Sequence, residues 1–289
     1  MMMETRKLSL SRGAFNVRDR GNENGTPLVM IHGWPETSCC WEALTPFLRE
    51  DLRLIAPDLR GLGDSERTMN PDCYLKNELA KDVIEIIDAL GIDSFYLAGH
   101  DWGGAVAQET ALAVPERVKK FVLMNMIVIN NAQGNAEALK VIQSMGSLPF
   151  WYQYFQQQPG LAEAMIPGNE DVWVRYFFGK AGRDGRISQE AIDEYVRCYS
   201  IENTPATAAY YYRAMNRDQK RWAELAGTKF PMPSLYIYGN KDIVIIPQYL
   251  NHVESCFDDV KVVEVDAGHF LQEERPETVA ALLNDFLQS

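Results

Sequence analysis

The chain has 289 residues, 46% of them hydrophobic and 24% charged, which fits a soluble globular protein with a sizeable core. That length is long for one compact domain and suits a core domain carrying a smaller inserted one. A formal net charge of −12 argues against nucleic acid and anionic membrane as partners.

Met1-Met2-Met3-Glu4-Thr5-Arg6-Lys7 leads into alternating residues, so neither a signal peptide nor a membrane anchor is expected. No later apolar run approaches the ~20 residues of a bilayer span. Lys7 to Asp19 alternates apolar and polar residues about Ser11-Arg12-Gly13, which predicts an antiparallel hairpin. Leu28 to Ile31 is a short apolar run ending in His32-Gly33-Trp34-Pro35, and the adjacent Cys39 and Cys40 read as core or helix-start residues. Leu52 to Ala56 and Phe95 to Ala98 are further strands. Between them Leu75, Leu79, Val83, Ile86, Ile87 and Leu90 recur at helical spacing, and Gly91 ends the helix. Gly104-Ala105-Val106-Ala107 reads as the small-residue start of a helix that Pro115 stops, and Val118 to Met124 is another buried strand.

From about Val128 to Phe230 the rhythm breaks. The segment is rich in Tyr, Trp, Phe and Gln, has no convincing apolar strand, and contains helical pieces such as Asp171 to Phe178 and Gln189 to Tyr199. Ser234 to Tyr238 and Lys261 to Val265 resume the strands, and Pro276 to Leu287 is a final helix. Strands alternating with helices predict an α/β fold, a mostly parallel sheet with helices on both faces. Residues 1–127 and 231–289 would form its core domain and residues 128–230 an all-helical cap. The five cysteines (Cys39, Cys40, Cys73, Cys198 and Cys256) show no CxxC or metal-ligand spacing. An odd count without a secretory signal points to reduced thiols and the cytoplasm.

The chemistry concentrates in Gly99-His100-Asp101-Trp102-Gly103, set between the strand Phe95 to Ala98 and a small-residue helix. That is the strand–turn–helix of a nucleophile elbow, with a carboxylate in place of the usual serine. An aspartate of ordinary pKa, about 4, is already ionised at neutral pH. Attack on an acyl carbon would give an unstable anhydride, whereas attack on a saturated carbon with a leaving group gives an alkyl ester that water can hydrolyse. The second step needs a base and a group to orient it.

Of four histidines, His100 lies inside the elbow, His32 reads as a structural hydrogen-bonding residue, and His252 as a solvated helix position. His269, in Asp266-Ala267-Gly268-His269-Phe270 after a strand end, is the expected base, because ligands meet open parallel sheets at that edge. Asp242, just beyond the strand ending Tyr236-Ile237-Tyr238-Gly239, falls between nucleophile and histidine and is the expected orienting acid. Asp266 is its competitor. The backbone N–H groups of Trp102 and Trp34 are the expected oxyanion donors.

With Asp58-Leu59-Arg60-Gly61-Leu62-Gly63-Asp64-Ser65 added to these motifs, the chain resembles the epoxide hydrolase and haloalkane dehalogenase group of α/β-hydrolases nearly end to end. An epoxide oxygen departs as a strong base and needs an acid, whereas a halide needs only N–H donors. The resemblance implies two cap tyrosines as the acids. Tyr152, in a Tyr-Gln stretch ahead of Pro159-Gly160, and Tyr212, directly before Arg213, match; Tyr154 and Tyr211 are their nearest competitors. Trp34 stands where dehalogenases often place an asparagine halide donor, although Trp151 or Trp173 could replace it, and fluoroacetate-type dehalogenases place arginine after the nucleophile.

The expected activity is hydrolysis of a hydrophobic epoxide to a vicinal diol, with dehalogenation as alternative and a non-catalytic receptor or scaffold as the remote one. Phe150, Trp151, Met215 and Phe270 are the expected pocket residues. The expected partners are a small epoxide and water, with no metal or cofactor, in a monomer or homodimer.

Overall fold

In the computed structural model, which describes residues 3–145 and 150–288, eight strands form one sheet in the order β1-β2-β4-β3-β5-β6-β7-β8. Met1 and Met2 of the N-terminal segment, and residues 146–149 of the segment expected to be helical, lie outside the described residues. The strands are β1 (Glu4–Leu10), β2 (Gly13–Gly21), β3 (Thr26–Ile31), β4 (Leu52–Pro57), β5 (Phe95–His100), β6 (Val118–Met124), β7 (Ser234–Gly239) and β8 (Val260–Val265). β1 and β2 form the antiparallel hairpin, β2 runs antiparallel to β4, and every pairing from β4 to β8 is parallel. A parallel strand is covered on both faces, and β3, β5 and β7 accordingly read as nearly continuous buried runs.

Two helices punctuate the first half, α1 (Lys76–Ala89) and α2 (Asp101–Ala113). Gly91 closes the end of α1 in the left-handed region, at φ +68°. Between β6 and β7 the chain forms α3 (Ala132–Met145), α4 (Trp151–Gln157), α5 (Leu161–Met165), α6 (Glu170–Arg183), α7 (Gln189–Tyr199), α8 (Thr204–Arg213) and α9 (Met215–Glu224). α10 (Leu271–Glu274) and α11 (Pro276–Gln288) follow β8. Among the described residues no helix is long and apolar enough to cross a membrane. His252 departs from the helical position expected for it. It sits at φ +63° between two short 3₁₀ turns, and its Nε2 lies 3.1 Å from Glu137 Oε1 of α3.

The sheet gathers the chemistry at one edge. Trp34 follows the carboxyl end of β3, Asp101 that of β5, Asn125 that of β6, Asp242 that of β7 and His269 that of β8. This is the edge at which open parallel sheets hold ligands.

Candidate active site

Asp101 is the first residue of α2 and holds φ +49°, a left-handed conformation that an L side chain rarely adopts. The flanking glycines keep negative φ and serve close approach instead. A Cβ on Gly103 would lie 2.2 Å from the His32 carbonyl oxygen, and one on Gly33 would lie 2.4 Å from Asp101 Cβ. The strand-end loop therefore packs directly on the elbow. The Trp34 N–H donates to Asp101 Oδ1 at 2.8 Å, and the Trp102 N–H adds a second backbone hydrogen bond. Burial disfavours the charged form of Asp101, but the His269 hydrogen bond and charge outweigh it and hold the carboxyl below its ordinary value.

The His269 imidazole is held between two carboxylates. Its Nδ1–H donates to Asp242 Oδ2 at 2.7 Å, and its Nε2 stands 3.4 Å from Asp101 Oδ2. Burial opposes a charged imidazole, yet Asp242 and Asp101 raise His269 well above its usual range. Asp242 is itself fixed by the Val244 N–H, which donates to Oδ1 at 2.7 Å. Asp266 stands apart at the surface, paired with Lys241 and Arg275. His32 is structural: the Leu59 N–H donates to its Nε2 at 2.9 Å, so Nδ1–H donates to the Gly33 carbonyl at 2.8 Å.

The sequence reading missed the supports behind His269. Asn125, at φ +39°, donates through Nδ2 to the carbonyls of Gly268 and His269 at 2.9 and 2.8 Å, while its Oδ1 accepts the Gly239 N–H. It clamps the end of β7 to the histidine loop. A polar residue directly after a buried strand was the available signal. His100 Nε2 lies 2.8 Å from the same His269 carbonyl, and its Nδ1 lies 2.9 Å from Glu36 Oε2.

Tyr152 of α4 and Tyr212 of α8 are buried, with ring centroids 5.8 Å apart. Both line two cavities of about 320 and 310 Å³ that also share Asp101. Trp151 and Phe270 line the first, and Phe150 and Met215 the second. Burial pushes both phenols above their ordinary pKa, so each keeps its proton at neutral pH. Of the competing tyrosines, Tyr154 lines the second cavity from an exposed position and Tyr211 lines neither. Tyr154 is 56% exposed, and the Tyr211 hydroxyl donates to the Arg60 carbonyl at 2.8 Å. Trp34 stacks on Tyr152 and meets the Tyr199 ring edge-on, and the indole N–H groups of Trp34 and Trp173 and the Tyr199 hydroxyl are buried without a hydrogen-bond partner among the described residues. Among the described residues one cluster, Asp64, Glu194 and Cys198, has metal-ligand spacing, but Arg197 already bonds to all three and none lines either cavity.

An aspartate in a strained elbow, backed by a histidine–aspartate pair at the edge of a parallel sheet, is an α/β-hydrolase arrangement. The model of the α/β hydrolase fold family matches residues 26–276, and the chain belongs to that family. Within it the chain stands with the epoxide hydrolases. It is 30% identical to the soluble epoxide hydrolase of Corynebacterium sp. (strain C12), over 89% of this chain and 88% of that one. It is 28% identical to epoxide hydrolase 2 of Siraitia grosvenorii, over 97% of each chain. The solved structure of epoxide hydrolase CorEH without ligand matches with a TM-score of 0.84 at 28% identity, covering 99% of both chains.

Proposed function

We propose that the protein hydrolyses a hydrophobic epoxide to a vicinal diol through an ester on Asp101, with residues 128–230 acting as a cap over a core of residues 1–127 and 231–289. The observation that carries this reading is the pair of protonated phenols, Tyr152 and Tyr212, lining the same cavities as the Asp101 carboxylate. Asp101 attacks one ring carbon while the tyrosines hydrogen-bond the departing oxygen and supply its proton. Alkylation removes the charge of Asp101, one of the two carboxylates that hold His269 protonated. The imidazolium then returns a proton toward the tyrosinate and becomes a base. His269, steadied by Asp242, deprotonates a water that attacks the ester carbonyl carbon. The carbonyl oxygen takes up negative charge beside the Trp34 and Trp102 N–H groups, and the diol leaves with Asp101 restored. Five unpaired cysteines favour a reducing compartment such as the cytoplasm.

The similarity to named epoxide hydrolases supports the same substrate class. The deciding assay offers styrene oxide and a bromoalkane together. Diol without bromide is expected, and bromide without diol would overturn the proposal. In parallel, His269→Gln treated with styrene oxide should gain the mass of one epoxide on Asp101, visible by intact-mass and peptide analysis. Ring opening without any adduct would refute the assigned roles.

A further inference from the structure

Lys76, the first residue of α1, is fully buried, and its ammonium group sits between the sheet domain and the inserted helices. Its Nζ donates to the Asp218 carboxylate at 3.0 Å and to the Tyr211 carbonyl at 2.7 Å, and lies 4.0 Å from the centroid of the Trp102 ring. The Lys76 backbone N–H donates to the other Asp218 oxygen at 3.0 Å. Asp218, on α9, is 1% exposed. These contacts converge on the proposed site from behind. Trp102 follows the nucleophile, and its ring meets that of Tyr212 edge-on with centroids 5.5 Å apart. Tyr211, whose carbonyl Lys76 holds, is the neighbour of Tyr212 in α8.

A buried ion pair is weak as a source of stability, since well-packed apolar residues often do as well. What it adds here is a positive charge at a defined place, which burial disfavours, lowering the ammonium's pKa, and which the Asp218 carboxylate works to sustain. A cation over an indole face is held by the ring quadrupole. It also draws electron density from the ring, which strengthens the indole N–H as a donor on the side where the Trp102 ring meets the Tyr212 phenol edge-on. We propose that Lys76 is a positioning residue for ring opening. Its ammonium ties the Tyr212 helix to the Trp102 indole and sets a positive charge behind the phenol that gives up its proton. The proposal rests on the epoxide hydrolase reading, because the charge it favours is the one that grows on the departing oxygen and on Tyr212.

The test uses two paired variants of the whole protein. Lys76→Met with Asp218→Leu removes the charge and its counter-ion together, so no unpaired charge stays buried. Lys76→Gln with Asp218→Asn keeps polar partners for the same groups and removes only the charge, and it decides the question if the first pair does not fold. Single-turnover ring opening is measured with a 1,2-epoxyalkane and with its ring-trifluoromethylated counterpart, whose departing oxygen is far less basic. Rates are normalised to active sites counted as covalent ester. Ring opening of the plain epoxide should slow tenfold or more, and that of the fluorinated one less than threefold. Equal losses on both substrates, or no loss in a folded variant, would overturn the role for Lys76. Failure of the unmodified protein to form diol from any epoxide would instead bring down the parent reading, and this inference with it.

Discussion

The carbonyl of His269 can only accept a hydrogen bond, so the His100 Nε2 that lies 2.8 Å from it carries the hydrogen. Burial drives His100 down to about 4, so the ring is neutral at physiological pH and its Nδ1 is an acceptor. Glu36, 2.9 Å from that Nδ1, must then donate, and a carboxyl group donates only when protonated. The same burial pushes Glu36 up to about 8, in agreement with the hydrogen-bond logic. Glu36 binds its proton more tightly folded than unfolded. Its contribution to stability is therefore full below the ordinary glutamate range and is lost as pH rises toward 8. The melting temperature should decline from pH 5 to pH 9. Glu36→Gln, which keeps a donor toward Nδ1 and an acceptor for Gln272, should match the parent at pH 5 and lose several degrees less at pH 9 in calorimetry. A second pH dependence follows from His269. Asp101 is held below its ordinary value, so single-turnover ring opening should stay flat from pH 7 down to pH 5. Ester hydrolysis needs neutral His269 and should fall over that range, giving kcat an acid limb that kcat/KM lacks. The acid role of the phenols predicts that Tyr152→Phe and Tyr212→Phe each slow ring opening by about 10²-fold, read by rapid quench.

At the level of elements, the elbow depends on how closely α2 packs beneath the end of β3. A methyl group on Gly103 would meet two backbone oxygens, those of His32 and Ile31, at 2.2 and 2.3 Å, and neither can rotate away. Gly103→Ala should therefore cost about 3 kcal/mol or more in chemical denaturation and move the Trp34 N–H away from Asp101. Gly91→Ala, in open space with only its φ of +68° to oppose it, should cost about 1 kcal/mol. The strands were legible because burial on both faces leaves short apolar runs, as in Leu28–Ile31 and Phe95–Ala98. The start of α2 was not: the expectation put it at Gly104, but it begins at Asp101, where packing overrides the poor helix propensity of Gly103 and Gly104. Asp101, His269 and Asp242 were legible as candidates because each follows a strand end in a recognisable order. Asn125, Glu36 and Lys76 were not, because their roles depend on partners more than 100 residues away, such as His269, Gln272 and Asp218. His252 has the solvent exposure expected of it but not the helical backbone, since it sits at φ +63° between two 3₁₀ turns.

Across the whole molecule, the inserted helices are joined to the sheet domain by buried polar ties as well as by apolar contact. The Tyr195 hydroxyl of α7 donates to Glu273 at 2.9 Å, and the Thr207 hydroxyl of α8 to the Gly61 carbonyl at 2.8 Å. The tie nearest the second cavity is Glu109 of α2, 1% exposed, which accepts from Trp222 Nε1 at 3.0 Å and from the Arg221 guanidinium. Trp222 lines that cavity together with Asp101, so Glu109 fixes one of its walls through the Trp222 indole. Arg221 is 43% exposed, and its half of the tie is screened by solvent. The indole bond is buried, and breaking it leaves a donor without an acceptor, at about 1–3 kcal/mol. Glu109→Leu should therefore destabilise by roughly that amount. Hydrogen exchange should quicken in Met215–Glu224 while β5 and β6 keep their protection, because local opening follows the weakened contact. Adding Trp222→Phe removes the orphaned donor, so the double variant should recover part of the lost stability, a coupling that two independent sites would not show. Unchanged exchange in α9, or strictly additive losses, would mean that apolar packing alone holds this wall.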